Sequence, residues 1–434
     1  MNQINQLIDR AFLYDNLPQY ILLSILFILF SVFLYIKLAF PFWNIQPVYH
    51  VYDFWRCLYR TPFRIYKQFH PKVRTKYCKP ELVETMGFVD ASPEKKKEFV
   101  NLLQCYSLAD ENAIYMFHLD NLEAYFGGHL YSSYLSFYTE VFYKSVEGEV
   151  IKENVPKGCI SSRSGVLIAS GHKENIYYID FMTIVRGLPN GAGLNMTREL
   201  FDTHVYNVGL REWRNSIDIK ESSRIGPIGV GLFKRMGYNL DGIVPLVRFT
   251  SRSYEIPNNP GYYKGIRYPE HVVLTEICSS NLQKMTDGLE MSSTKFAIYG
   301  VTDIANLIVL IKAGVMYVYI LERLGDILAM YFFRDTRIRY EGLTERDTGA
   351  VLELAGSIYI SGSVGLFHNG FMGALYDILK GKPVYRRIQI DDISDNGGLD
   401  FRELYFLGEE KGGYYLFNYV MPFSCSPGGC FLLF

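Results

Sequence analysis

The stretch from Tyr20 to Ile36 contains no charged residue, and beyond the single Lys37 the apolar run resumes through Leu38 to Phe42. No other segment limits the chain's conformation as strongly. Crossing a bilayer takes roughly 17–25 apolar residues in a helix, because lipid offers no partner to unpaired backbone groups. A cleaved secretory signal fits poorly, since the apolar core is too long and no small-residue cleavage site follows. Asp9, Arg10 and Asp15 lie upstream of the run, whereas Lys37, Arg56, Arg60, Arg64, Lys67, Lys72, Arg74 and Lys76 lie downstream. Positive charge is retained on the cytosolic side. The expectation is one transmembrane helix within residues 1–41, with the bulk of the chain cytosolic. The alternative is a buried helix of a soluble protein.

The chain of 434 residues has room for two or three domains. Its formal net charge of −1 gives no reason to expect nucleic acid as a partner. Seven cysteines without C-x-x-C spacing suggest reduced thiols, not a disulfide framework. Residues 42–98 form an aromatic and basic arm, of which Val51 to Phe69 suits an anionic membrane surface or a solvated linker. Ser92-Pro93-Glu94 predicts a helix start, with Ser92 as cap and Pro93 in the first turn. Asn121 to Tyr143 reads as helix broken at Gly127-Gly128. Cys159 to Ala169 and Ile176 to Val185 read as a hairpin, Gly229 to Tyr238 as a short helix, and Ile243 to Thr250 as a strand. The second half repeats the mixture, with a hairpin at Val315 to Glu322 and Ile327 to Arg334, a strand at Ile358 to Gly362, a helix at Asn369 to Leu379 and later strands at Arg386 to Ile390 and Gly413 to Val420. The expected class is α+β in two related halves, 99–255 and 256–434.

Ile179 to Leu200 carries the clearest chemistry. A β-branched apolar run, Ile179 to Val185, leads through a loop containing Gly191 and Gly193 into the helix-compatible Leu194 to Leu200. Glycines let such a loop bring bare N–H groups to a ligand, and the positive end of the next helix favours an anion such as a phosphate. A tight strand-to-helix connection without a ligand remains open.

Five blocks then carry a family resemblance, in order along the chain. Phe42-Trp43-Asn44-Ile45-Gln46-Pro47-Val48, Asp110 to Phe117, Ile179 to Leu200, Arg248-Phe249-Thr250-Ser251-Arg252 and Gly413 to Tyr419 resemble segments of glycylpeptide N-myristoyltransferases, which consist of two tandem GNAT-like (acyl-CoA N-acyltransferase) halves. Phe233 to Tyr238 is similar to the closing helix of GNAT domains. The chain departs from the family at Gly191-Ala192-Gly193, where basic residues are usual, at the aromatic arm after Val48, and at Ser251, which replaces a histidine.

The resemblance implies transfer of a myristoyl or other long acyl chain from acyl-CoA to the N-terminal glycine amine of a protein, without a metal, and the apolar helix adds a membrane anchor. It places the oxyanion donors at the backbone of Phe181 and Met182, and the general base at the α-carboxylate of Phe434. It assigns acyl-CoA binding to Phe42, Trp43, Thr183, Ile184, Leu188, Asn190, Gly191, Ala192, Gly193 and Leu194. It assigns the peptide substrate to Arg248, Thr250, Ser251, Tyr415 and Asn418. The apolar ending Gly428 to Phe434 agrees with a carboxylate drawn inward, whereas a last strand reaching solvent is the competing reading. Phe42 and Trp43 equally suit an interfacial aromatic belt. Cys425, Cys430, His204, His271 and His368 are read as structural. The alternatives in function are a short-chain acyl- or acetyltransferase with the acyl pocket filled by aromatics, and a membrane-tethered structural protein that kept the fold.

Overall fold

The computed structural model describes residues 2–53, 58, 61–66, 74–108, 110, 112–146, 149–189, 191–218, 228–237, 240, 242–257, 266–341 and 348–434. Among these are helices α1 (Asn2–Ala39), α2 (Pro93–Tyr106), α3 (Leu119–Phe126), α4 (Ala192–Asp218), α5 (Leu282–Ser292), α6 (Ile304–Lys312) and α7 (Val364–Gly381). The segment Leu17–Ala39 of α1 is long and apolar enough to cross a membrane, and none of it is buried against the fold. A core helix of a soluble protein would be covered, so that alternative is not what the chain adopts. The start of α2 follows the sequence: Ser92 caps it by accepting from the Lys95 N–H, with Pro93 in the first turn.

One large mixed sheet runs through the molecule. Two units of the same design lie within it. In the first, Glu149–Ala169 pairs antiparallel with His172–Ile184, α4 crosses over, and Val230–Met236 returns parallel to His172–Ile184. In the second, Asp326–Tyr340 pairs antiparallel with Gly349–Tyr359, α7 crosses over, and Tyr385–Asp391 returns parallel to Gly349–Tyr359. A parallel return needs a crossover of this length, which each helix supplies. The units share strands: Tyr405–Phe417 sits between Val230–Met236 and Val247–Glu255, and Val247–Glu255 pairs with Tyr385–Asp391. The last strand, Cys430–Leu433, lies parallel to Ile298–Thr302, which is antiparallel to Gly165–Ala169 of the first unit.

Several sequence expectations are corrected. The helix expected over Asn121 to Tyr143 stops at Phe126, and Tyr134–Val146 is a strand. It pairs with Val83–Gly87 on one edge and Glu149–Ala169 on the other, and its faces pack into separate clusters, Tyr134 and Tyr138 in one and Phe137 in the other. Nor is the helix expected over Gly229 to Tyr238 formed where the residues are described: Val230–Met236 is a strand bonded on both edges, so the comparison with a closing GNAT helix fails for Phe233 to Met236, and Tyr238 lies outside the described residues. In both cases partners distant in sequence override local preference. The strand expected at Ile243 to Thr250 is Val247–Glu255, and that expected at Ile358 to Gly362 is Gly349–Tyr359.

Candidate functional site

The parallel pairing of His172–Ile184 with Val230–Met236 lasts only from Ile176 opposite Val230 to Ile179 opposite Phe233. Beyond that point the strands part, and a wedge opens between Asp180–Ile184 and Lys234–Met236. The antiparallel edge of the same strand changes register there: Ser161 faces Asp180 and Cys159 faces Thr183. Phe181 and Met182 therefore stand opposite the single residue Ile160, a β-bulge. Phe181 has φ 50°, a conformation that costs of order 1–3 kcal/mol in a non-glycine residue. Its ring is fixed by Phe117, Tyr125, Phe126 and Phe99 at centroid distances of 5.3, 5.3, 6.1 and 6.4 Å. A bulge of this kind detaches backbone groups from the ladder and re-aims them.

Two cavities meet at the wedge. One, of about 460 Å³, is lined by Phe40, Phe42, Trp43, Leu194, Thr197, Arg198 and Arg235 among others. The second, of about 400 Å³, is lined by Ser107, Tyr115, Tyr178, Asp180, Phe181, Thr336 and Ile338 among others. Met182, Phe201, Phe233 and Lys234 border both. Phe42 is buried, its ring 5.0 Å from Tyr77, and Trp43 stacks on Phe233 at 6.1 Å with planes 5° apart. Gln46, which donates to Asp202 of α4 at 2.8 Å, ties this segment to the fold. Phe42 and Trp43 thus belong to a cavity wall, not to a belt around α1.

The glycine loop lies at one side of the first cavity. Gly191 has φ 76° with open space where a side chain would stand, and α4 begins at the next residue. Thr197 returns a hydrogen bond to the Gly193 carbonyl at 2.8 Å. Of the residues assigned to acyl-CoA, Phe42, Trp43 and Leu194 line the first cavity; Ile184 and Leu188 pack on the same apolar cluster, Thr183 is buried opposite Cys159, and Asn190 lies outside the described residues. Arg198 and Arg235 were not singled out in the sequence, yet they bring to the cavity the positive charge that the loop lacks. Their spacing from the loop, one helical turn and one returning strand, was the available signal.

Behind the cavities runs a line of buried charges. Lys234 Nζ lies 2.6 Å from Asp391 Oδ2 and 3.8 Å from Glu353 Oε1, and Glu353 Oε2 accepts from Arg334 Nε at 2.8 Å. Arg334 Nη1 donates to the main-chain oxygen of Phe434. Burial opposes charge on Lys234 and Arg334, but Asp391 and Glu353 prevail and hold both protonated, with raised pKa values. Burial likewise opposes ionisation of Glu353, while Arg334 and Lys234 hold its pKa below the usual range. Phe434 is 4% exposed, and its ring stacks on Tyr178 at 5.0 Å. Gly300 makes this possible, since a Cβ there would come within 2.9 Å of the Phe434 ring. The competing reading of the chain end is half right: a strand does close the sheet, but it does not carry Phe434 to solvent.

The residues assigned to the peptide are not gathered at either cavity. Arg248 is exposed. The Thr250 N–H donates to Asp392 at 2.8 Å, and the Ser251 hydroxyl accepts from Gln389 at 2.8 Å. Tyr415 is buried, its hydroxyl accepting from the Leu240 N–H at 3.0 Å. Asn418, buried with φ 59°, donates to the carbonyls of Gly229 and Tyr66 at 2.7 and 3.1 Å and accepts from the Tyr66 N–H at 2.7 Å. Tyr415 and Asn418 therefore hold strands and loops together in this chain. His204 is bonded to Ser136 at 2.8 Å, and burial pushes the Cys430 thiol well above its ordinary pKa, in keeping with structural roles.

No protein-family model and no curated protein matches the sequence. Among solved structures, Saccharomyces cerevisiae N-myristoyltransferase with bound myristoyl-CoA superposes with a TM-score of 0.63 at 13% identity, over 89% of this chain and 93% of that one. The same yeast protein with myristoyl-CoA and inhibitors gives a TM-score of 0.60 at 14% identity, over 89% and 90%. The chain therefore has the fold of N-myristoyltransferase, two GNAT-like halves fused through one sheet, behind one apolar N-terminal helix.

Proposed function

We propose that the protein is a membrane-anchored N-acyltransferase that moves a long acyl group, myristoyl above all, from acyl-CoA to the N-terminal glycine amine of a protein. The observation that carries this reading is the wedge where the strands part after Ile179 and Phe233, with a cavity on each side of Met182. Acyl-CoA occupies the first cavity, its phosphates toward the start of α4 and the side chains of Arg198 and Arg235. The peptide amine enters from the second. Its nitrogen attacks the thioester carbonyl carbon, and the carbonyl electron pair moves to oxygen. Backbone N–H groups at Phe181 and Met182 receive that oxyanion, a contribution of about 2.7–4 kcal/mol per donor where one has been removed from comparable sites. Collapse re-forms the carbonyl and expels CoA as its thiolate. The amine proton passes to the Phe434 carboxylate, which then releases it to solvent, and the CoA thiolate takes up one proton from solvent, so the base is restored. Arg334 orients that carboxylate through the oxygen it already holds.

A second reading, transfer of a short acyl group, draws support from the rings of Phe99, Phe117, Tyr125 and Phe126 packed around Phe181, which fill space that a long chain would need. The two readings separate on purified full-length protein titrated with acetyl-CoA and myristoyl-CoA, followed by transfer to a glycine-led peptide. Myristoyl-CoA is expected to bind more tightly. Tighter acetyl-CoA binding would select the second reading, and absence of both would leave a tethered structural protein.

A further inference from the structure

A third cavity, of about 410 Å³, opens at the foot of α1 and is lined by Lys37, Pro41, Asn44, Arg74, Thr75 and Lys76 among others. Its wall carries three cations and no carboxylate. Among the described residues, none of the three cations forms an ion pair. All three are exposed, and Tyr206 and Glu81 favour the charge on Arg74, so water screens their mutual repulsion and leaves the cavity electropositive toward an entering anion. Their placement is nevertheless fixed. The helical bonding of α1 continues beyond its end, from Phe40 N to Ile36 O and from Asn44 N to Phe40 O, both 3.0 Å, so Lys37 is joined stiffly to the fold. Thr75 donates to Asp202 at 2.5 Å, with that carboxylate behind the wall, and this sets the backbone between the two downstream cations. The Arg74 guanidinium lies 5.4 Å from the Tyr206 ring, and the Lys76 ammonium 5.1 Å from that of Tyr77. Asn44 donates to the Phe40 carbonyl at 2.5 Å, so that oxygen does not turn toward an incoming anion unpaired.

From these features we infer a site for the phosphate-bearing headgroup of an anionic phospholipid. This rests on the reading that Leu17–Ala39 lies in a bilayer, and it does not depend on acyl transfer. Lys37 stands in the last turn of the apolar helix, so the cavity opens at the height where hydrocarbon gives way to headgroups. A ligand with its phosphate at that height and its tails alongside α1 is a lipid of the same leaflet. The cytosolic leaflet supplies the anionic species. The site would fix the protein's height and tilt and would favour membranes rich in acidic lipid.

The test uses the full-length chain in a neutral detergent, titrated with dioctanoyl phosphatidylserine, dioctanoyl phosphatidylcholine and inorganic phosphate. Saturable binding of phosphatidylserine is expected, with phosphatidylcholine much weaker. Each cation removed weakens binding about fivefold, so Arg74→Gln alone gives that loss, and Lys37→Gln, Arg74→Gln and Lys76→Gln together give on the order of a hundredfold. The single variant keeps the test valid should the triple one melt early. Equal binding of both lipids, or unchanged phosphatidylserine binding in Arg74→Gln, overturns the site. Inorganic phosphate binding as tightly and displacing the lipid overturns the lipid as its occupant. Carbonate extraction of the wild-type protein from membranes checks the anchor separately, and its release there would fault the membrane reading while the titration still reports on the cavity.

Discussion

The two hairpin–helix–strand units share a design but end differently. In the first, the parallel strands part after Ile179 and Phe233, and the gap is a cavity. In the second, pairing runs from Ala350 to Leu354, and the turn Ser394–Gly398 fills the space beyond. Ser394 Oγ accepts from the Ser357 N–H at 3.2 Å, and Ser357 Oγ donates to Asn396 Oδ1 at 2.7 Å. Asn396 Nδ2 in turn donates to the Asp391 carbonyl at 2.9 Å. The crossover helices differ in the same sense. Ser363 caps α7 by accepting from the Leu366 N–H, so that helix uses its own oxygen at its positive end. At the start of α4 the Ala192 N–H donates to the Pro189 carbonyl at 3.0 Å, while Gly191, Ala192 and Gly193 bring no side-chain oxygen. In the first unit the wedge is a cavity and the helix start carries no side-chain cap among the described residues; in the second the chain fills the wedge and caps the helix itself. The two units repeat one design, and packing fills in the second the space that stays a cavity in the first.

The largest effect that would sharpen this contrast concerns the residue shared by both units. Appending three residues after Phe434 should lower acyl transfer by about a hundredfold or more, the range for loss of a positioned general base, with circular dichroism unchanged. Full activity would remove Phe434 from the chemistry. Next, Asn396→Ala breaks the plug of the second unit and leaves buried partners unpaired, at a cost of about 2 kcal/mol in denaturant unfolding. Acyl-CoA affinity should hold, and a matched loss of affinity would mean that the plugged wedge is also a site. Third, Ala192→Asp places a negative charge at the open start of α4 and should weaken acyl-CoA binding about tenfold. Gly365→Asp in the first turn of α7 should leave that binding unchanged, since its Cβ would stand in open space. Equal effects of the two would erase the difference drawn between the helices. The smallest effect is that of Ser363→Ala, which should cost about 1 kcal/mol of stability through loss of the cap, read as a lower midpoint of unfolding with acyl-CoA affinity intact.

How much the residues disclosed depends on the range of the interactions involved. The cap at Ser92, the hairpin around Gly171, the strand and helix flanking Gly191 and the length of the apolar helix are all set within a few residues, and each was legible. Val230–Met236 was not, because Phe233, Lys234 and Arg235 suit either conformation until His172–Ile184 and Tyr405–Phe417 bond both edges. The buried charges were equally out of reach, since Lys234 meets Asp391 across 157 residues of chain. Family resemblance pointed to Phe181 and Met182, and the structure supplies the physical feature there, a register shift that no short motif encodes. The same resemblance named Asn418, whose amide here stitches Tyr66 to Gly229, a link that no local pattern announces.

Ala39, Phe40 and Pro41, the residues that end the apolar helix, also form part of the first cavity's wall. With α1 in a bilayer, the mouth of that cavity lies level with the lipid surface. Under the proposed acyl transfer, a fatty thioester already dissolved in the leaflet would then reach the cavity by lateral diffusion, a search in two dimensions. The acylated product would slip sideways into the same leaflet, its tail never crossing open water.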